Sequence, residues 1–206
     1  MTTATSSPPL NDAEWLSAFT RLYSADDDPW GFRTSWYEAR KRALTLASLP
    51  NPRYRSAFEI GCANGELTAA LATRCDRVLA CDAVDRAVEL ARQRVGLEAR
   101  VQIERRTIPA QWPLDRFDLI VFSEVGYFLE RAALTTLVAQ LTDAWQRDDA
   151  TIVACHWRHP IVGGWIDGDG VHAAITDGLR QPPEGGWCDA DFRLEVWRPR
   201  TEHRNR

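Results

Sequence analysis

Residues 58–65 (FEIGCANG) and the acid Asp82 are the part of this sequence whose types and spacing fit a definite chemistry. Gly61 and Gly65 interrupt an apolar run, and glycine lets a strand turn sharply into a helix without strain. Asp82 follows Gly61 by about 20 residues, the offset at which an acid reaches a ribose hydroxyl in nucleotide-binding α/β folds. This combination predicts half of a nucleoside-binding unit.

The spacing of the glycines distinguishes between cofactors. A dinucleotide turn has the pattern G-x-G-x-x-G, whose middle glycine lets the backbone approach a pyrophosphate. Here Ala63 and Glu66 stand at the second and third glycine positions, so only G-x-x-x-G remains. The pattern E-x-G-x-x-x-G with a later acid resembles class I S-adenosylmethionine-dependent methyltransferases, whose ligand carries a nucleoside and no phosphate. A structural turn in an unrelated α/β protein is the alternative.

Three longer segments carry a narrower resemblance. Residues 28–41 (DPWGFRTSWYEARK), 117–129 (FDLIVFSEVGYFL) and 156–160 (HWRHP) are similar to segments of the nodulation protein S family of methyltransferases. The resemblance extends from about residue 28 to 198. It implies methyl transfer from S-adenosylmethionine, with S-adenosylhomocysteine as product, and it supports the reaction type more than the substrate.

The elements that must position these residues alternate between strand and helix. The pattern predicts a doubly wound, Rossmann-like and mostly parallel sheet, for which the resemblance implies seven strands, the last of them antiparallel. Residues 184–188 are short for a sixth strand, which we expect to be stunted. We expect a disordered tail over residues 1–10, an N-terminal helical lid over 11–50, and a single cofactor-binding core over 51–200.

Composition narrows the class of protein. The chain has 206 residues and a net charge of −4, which disfavours nucleic acid as a partner. It has no long apolar run and no signal-like start, so we expect no membrane association. The five cysteines form no C-x-x-C pair and suit a reducing cytoplasm. We expect a monomer or weak homodimer that acts on a small-molecule acceptor.

Several predicted site residues fall where parallel strands end, and ligands of such sheets bind beyond those ends. Asp82 is predicted to hold the ribose hydroxyls. Trp30 and Arg40 are candidates to close over the cofactor, with Arg40 paired to its carboxylate, although an ordinary packing tryptophan and a solvated arginine are equal alternatives. The full predicted cofactor set is Trp30, Arg40, Glu59, Gly61, Cys62, Ala63, Gly65, Asp82, Ala83, Thr107, Ile108, Ser123, Glu124 and Val125.

The acceptor side of the site is predicted from strand-end residues that can hold or move a proton. His156 and Glu124 are the candidates for the catalytic base or for orienting an amine, and a buried, satisfied histidine is the alternative for His156. Tyr127 and Trp157 are predicted to line the acceptor pocket. No metal site is expected, because His156 and His159 are three apart on a strand and so lie on opposite faces.

These residues favour a methyltransferase that acts on an amine of an amino sugar or similar small polar acceptor. Two other functions stay open. One is an NAD(P)-dependent oxidoreductase on a similar sheet, which the missing middle glycine disfavours. The other is a nucleoside-binding protein without catalysis, for which the binding residues would be the same.

Overall fold

A seven-stranded sheet organises residues 8–199, the part of the chain that this computed structural model describes. The strand order is β3-β2-β1-β4-β5-β7-β6. The first five strands are parallel, β7 runs antiparallel to β5, and β6 runs antiparallel to β7. The strands are β1 (Ala57–Ile60), β2 (Val78–Asp82), β3 (Val101–Arg105), β4 (Leu119–Ser123), β5 (Thr151–Trp157), β6 (Gly185–Cys188) and β7 (Phe192–Trp197). The predicted fold class is confirmed.

Helices cover both faces of the sheet. Its central strands are therefore buried on both sides, as is usual for parallel sheets. One apolar cluster joins the sheet to α5 and α6, and a second joins it to α2, α3 and α4. The helices are α1 (Asp12–Ala25), α2 (Trp36–Ala47), α3 (Glu66–Ala72), α4 (Asp85–Val95), α5 (Arg131–Arg147) and α6 (Gly168–Leu179). Among residues 8–199, no helix combines the length and apolar character that crossing a membrane requires.

Sequence signals locate most of these elements to within a few residues. Asn11 and Glu14 form the expected capping box at the start of α1. α6 begins earlier than Val171, the predicted start, because Asp167 accepts a hydrogen bond from the backbone N–H of Gly170 and caps the helix. The sixth strand is short, as predicted, and its four residues are exposed at the edge of the sheet.

The N-terminal helices lie across the carboxyl end of the sheet. Residues 1–7 of the predicted tail lie outside the described residues, whereas Leu10 donates its N–H to the carbonyl of Gly163 and so belongs to the folded part. α1 packs Leu16, Phe19 and Tyr23 against an apolar patch on α4. This arrangement places α1 and α2 over the strand ends, where the sequence predicts the site.

We predict that Gly65→Ala destabilises the fold because of packing between α3 and α4. Gly65 has a φ of +82°, and a Cβ there would lie 2.8 Å from the Cα of Ala91. Gly31 also has a positive φ of +69°, but a Cβ there would meet its nearest neighbour, the Cβ of Ser35, at 3.7 Å, an ordinary contact. Gly65→Ala should lower the free energy of unfolding by about 1–3 kcal/mol more than Gly31→Ala, because only the first adds overpacking. Urea unfolding measures the difference, and equal losses would contradict it.

Candidate functional site

A cavity of about 600 Å³ opens at the carboxyl ends of β1, β2 and β4, beneath α1 and α2. This volume is in the range of small-molecule sites. Its wall combines aromatic rings from the covering helices with polar groups from the strand ends. The lining residues include Trp15, Leu16, Phe19, Tyr23, Trp30, Phe32, Tyr37, Glu38, Lys41, Gly61, Ala63, Asp82, Ala83, Arg106, Thr107, Ile108, Ser123, Glu124, Val125, Tyr127, Phe128 and Trp157.

The glycine turn forms the floor of this cavity. Gly61 has a φ of +76°, and a Cβ there would lie 2.3 Å from Cγ2 of Val125. Glycine is therefore required at this position by the approach of the loop after β4. Gly65 is predicted to bind the cofactor, but it faces Ala91 on α4 and does not line the cavity. Its role is helix packing.

Asp82 joins the end of β2 to the glycine turn. Its carboxylate accepts hydrogen bonds from the backbone N–H groups of Ala63 and Val84, both at 3.0 Å. Burial raises the pKa of Asp82, and the bonds from Val84 and Ala63 oppose that rise. The carboxylate lines the cavity while it holds the turn, so a ligand bound at the turn meets an oriented acceptor.

A second connection ties the segment after α1 to the glycine turn. Asn64 donates its side-chain amide to Asp28 at 2.9 Å. Asp28 also accepts from the backbone N–H groups of Phe32 and Arg33. The loop that carries Trp30 over the cavity is thereby anchored to the floor. No local sequence pattern indicates this role for Asp28 or Asn64, since their hydrogen bond joins residues far apart in the chain.

Glu59 is a buried carboxyl beneath the turn. It is 2% exposed, and its Oε2 atom has no hydrogen-bond partner among the described residues. Burial raises its pKa from 4.5 to about 8, and the nearby charge of Asp82 adds to the rise. Glu59 lines a small second pocket beside the cavity, together with Cys62, Asn64 and Lys41.

A buried group of charges forms another part of the wall. The Lys41 ammonium lies 2.9 Å from Glu38 and 2.7 Å from Glu124. Glu124 also accepts hydrogen bonds from the Tyr127 hydroxyl and, at 3.1 Å, from the backbone N–H of Trp157. Sequence reasoning found Glu124, Tyr127 and Trp157 but missed Lys41 and Glu38, which have the types of ordinary surface residues on a helix.

The structure corrects the predicted catalytic role of His156. Its side chain is fully buried and does not line the cavity. The backbone N–H of Gly126 donates to His156 Nε2 at 3.2 Å, so Nδ1 carries the proton and points to His172 Nε2, also at 3.2 Å. His172 then donates from Nδ1 to Glu195 at 2.7 Å. This fixed chain supports the loop after β4, and burial lowers the pKa of His156, which keeps it neutral.

Arg40 also lies elsewhere than predicted. Its guanidinium pairs with Asp189 at 2.9 Å and stacks over the rings of Trp187 and Phe192, at 5.4 and 5.3 Å from their centroids. It does not line the cavity. The helix explains this placement, because Lys41 lies one residue further along α2 and so points about 100° away, towards the strand ends.

The other predicted site residues line the main cavity, the second pocket or both. Cys62 and Glu59 line only the second pocket. Ten predicted residues besides Asp82 and Glu124 line the main cavity, namely Trp30, Gly61, Ala63, Ala83, Thr107, Ile108, Ser123, Val125, Tyr127 and Trp157. Of the predicted residues, Gly61, Ala63, Ser123 and Glu124 line both pockets.

A family model and two similar curated relatives point to the same protein family. The family model described as nodulation protein S (NodS) matches residues 18–178. Nodulation protein S of Bradyrhizobium diazoefficiens is 32% identical over 158 residues, covering 74% of this chain and 73% of the relative. The Rhizobium tropici protein of the same name is 34% identical over 106 residues, which are 51% of this chain and 44% of the relative.

Solved structures similar to this chain include the following two. A Pseudomonas syringae protein, provisionally assigned as a methyltransferase, is 43% identical, with a TM-score of 0.66 over 80% of this chain and 99% of that one. The N-methyltransferase NodS of Bradyrhizobium japonicum WM9, in complex with S-adenosyl-L-homocysteine, has a TM-score of 0.78 over 90% of this chain and 98% of its own. At 24% identity, the second likeness shows the fold.

We predict that His156 is needed as a hydrogen-bond acceptor for Gly126. His156→Leu leaves that buried N–H without a partner and should lower the free energy of unfolding by about 1–3 kcal/mol more than His156→Gln. The glutamine Oε1 can occupy the position of Nε2 and accept the same bond. Urea unfolding of both variants measures the two losses of unfolding free energy. Equal losses would show that the hydrogen bond from Gly126 does not contribute to stability.

We predict that Glu59 makes stability depend on pH. Its pKa is raised from 4.5 to about 8 in the folded state, so its contribution is fully present below pH 4.5 and is lost as the pH rises towards 8. Relative to Glu59→Gln, the wild type should lose up to about 1.4 kcal/mol of unfolding free energy per pH unit in that window. Parallel stability profiles from pH 5 to 8 would contradict this burial effect.

Proposed function

Because this chain belongs to the nodulation protein S family, we propose that it is an S-adenosylmethionine-dependent methyltransferase that methylates an amine of a small polar acceptor, such as an amino sugar. One observation carries the proposal: the glycine turn with Asp82 and the charged cluster around Glu124 line the same cavity. Asp82 ends β2 and Glu124 follows β4, on either side of β1, so about 10 Å separates them. That distance leaves room for a donor and an acceptor side by side.

The cofactor half of the cavity fits a nucleoside. Asp82 presents an oriented carboxylate to the ribose, and Ile108 and Thr107 offer an apolar contact and polar atoms for the base. Gly61 and Ala63 let the ligand approach the backbone of the turn. The carboxyl of Glu59, whose Oε2 atom has no hydrogen-bond partner within residues 8–199, lies beneath it. When bound, S-adenosylmethionine supplies a methyl group on a positively charged sulfur.

The acceptor half carries a net negative charge. Glu38 and Glu124 contribute two carboxylates against the single ammonium of Lys41. A protonated amine is attracted to such a group. The ring of Trp157 lies beside the cluster, and aromatic faces suit the apolar C–H faces of a sugar.

Positioning is the main contribution of these residues to the reaction. The amine nitrogen must lie about 3 Å from the methyl carbon and in line with the bond that breaks, and holding that geometry lowers the barrier. Only the neutral amine has a lone pair, so the bound ammonium first loses one proton. Glu124 then accepts a hydrogen bond from a remaining N–H and so orients the lone pair. Lys41 and Tyr127 fix the carboxylate in turn, because both donate to it. After the methyl group has moved from sulfur to nitrogen, the methylated ammonium releases a proton to the same carboxylate and on to solvent.

The proposal also covers the cellular compartment, the partners and the oligomeric state of the enzyme. Four of the cysteines are buried free thiols and Cys188 is exposed and free, which supports a reducing cytoplasm. The net charge of −4 supports a small molecule as the partner, with neither nucleic acid nor membrane. We expect a monomer or weak homodimer.

Binding and turnover test this function together. Calorimetry should detect S-adenosylhomocysteine and not NAD, and the purified protein should transfer labelled methyl from S-adenosylmethionine to deacetylated chitobiose, glucosamine or a polyamine. Glu124→Gln should lower kcat/KM roughly 10- to 100-fold, the effect of a lost hydrogen bond to a charged group worth about 1.5–3 kcal/mol.

The matched control is Glu98→Gln, which alters an exposed carboxylate outside the cavity and should leave kcat/KM unchanged. The melting temperature of Glu124→Gln should fall, because Lys41 loses a charged partner. A wild-type circular dichroism spectrum and unchanged S-adenosylhomocysteine affinity at the assay temperature establish that the variant is folded. Binding of NAD in place of S-adenosylhomocysteine would favour an oxidoreductase. Methylation confined to hydroxyl groups would refute the amine as acceptor.

A further inference from the structure

Two tyrosine hydroxyls in the covering helices are buried at the cavity without a hydrogen-bond partner among residues 8–199. One belongs to Tyr23 on α1 and the other to Tyr37 on α2. Both tyrosines line the cavity. A buried hydroxyl that has lost its hydration without gaining a partner is unfavourable. Such a group in the wall of a site points to a partner supplied by a ligand.

Tyr23 is held firmly in this position. Its side chain is only 4% exposed and packs with Val84, Ala87 and Leu90 in the patch that joins α1 to α4. The edge of its ring meets Trp30, with 5.5 Å between the ring centroids. The hydroxyl therefore has little freedom to turn towards another partner, and it stays near the end of β2.

The neighbours of this hydroxyl are acidic. Burial and then the negative charges of Asp82 and Asp28 raise the pKa of Tyr23, with Cys62 also contributing. The phenol consequently stays protonated and remains a hydrogen-bond donor. Its hydroxyl makes no bond to the Asp82 carboxylate, which accepts instead from Ala63 and Val84.

A ribose hydroxyl matches this pair of groups. Asp82 can only accept a hydrogen bond, whereas protonated Tyr23 can donate one, and a sugar hydroxyl both donates and accepts. We propose that the Tyr23 hydroxyl binds the cofactor by donating a hydrogen bond to the oxygen of a ribose hydroxyl. Asp82 accepts a hydrogen bond from that same ribose hydroxyl or from the neighbouring one. This assignment rests on the proposed function, because it takes the bound nucleoside to be that of S-adenosylmethionine.

The contact couples the covering helix to the cofactor. α1 supplies Tyr23, and the carboxyl end of the sheet supplies Asp82, so a ribose between them joins the two layers. No group among residues 8–199 pairs with the hydroxyl, and a ribose oxygen would supply the missing partner. The hydroxyl therefore contributes to affinity without contributing to the stability of the unliganded fold.

The decisive variant is Tyr23→Phe, which deletes only the hydroxyl. Calorimetry should show its Kd for S-adenosylhomocysteine raised about 3- to 10-fold, the effect of one neutral hydrogen bond. The melting temperature of the unliganded variant should equal or exceed that of the wild type. Tyr54→Phe is the matched control, because Tyr54 lines neither pocket and its hydroxyl already accepts a hydrogen bond from the backbone N–H of Asn51. It should leave this Kd unchanged.

Adenosine and its 2′-deoxy and 3′-deoxy forms, competing with S-adenosylhomocysteine, locate the bond. The wild type should lose affinity for at least one deoxy form, and Tyr23→Phe should lose no further affinity for that same form. A penalty in Tyr23→Phe that is equal for all three nucleosides would overturn the assignment to the ribose.

The remaining outcomes separate this proposal from the function itself. Wild-type protein that binds S-adenosylhomocysteine, with Tyr23→Phe binding equally well, would refute the role of Tyr23 and leave the function intact. A clear fall in the melting temperature of unliganded Tyr23→Phe would show a structural partner for the hydroxyl and would also refute it. Failure of the wild type to bind S-adenosylhomocysteine would reject the function, and the Tyr23 assignment with it.

Discussion

The burial of one ammonium between two carboxylates is the constraint on which the cavity depends. Lys41 lies on α2, Glu38 one turn before it, and Glu124 at the carboxyl end of the sheet. A charge that has lost its water needs partners at close range, and removing one partner from such a buried group typically costs about 3–5 kcal/mol. Satisfying Lys41 therefore fixes the covering helix over the strand ends.

The loop that carries Glu124 is held from the other side as well. Glu124 has a φ of +59°, a backbone conformation that non-glycine residues rarely adopt and that surrounding contacts must stabilise. The bond from Gly126 to His156 supplies one such contact beneath the loop. Val125, which lies over Gly61, supplies another. The acidic group at the site is thus oriented by the core below and by α2 above.

Most of the fold could be predicted from the sequence because its signals are local. Alternation of strand and helix, the capping box of Asn11, and the glycine turn each depend on residues within a few positions of one another. The same holds for Asp82, whose offset from Gly61 spans one strand–helix–strand unit. The early start of α6 was missed because its cap, Asp167, lies within a glycine-rich segment that resembles a turn.

The sequence by itself determined the parallel sheet, the nucleoside-binding turn with its acid, and the family to which the chain is similar. The tertiary structure alone decided which side chains reach the cavity. Arg40 and Lys41 are neighbours of similar charge, yet only Lys41 faces the strand ends. His156 lies in the core, and Tyr23 presents a hydroxyl without a partner. Burial and pairing depend on contacts between segments far apart in the chain, which no local pattern records.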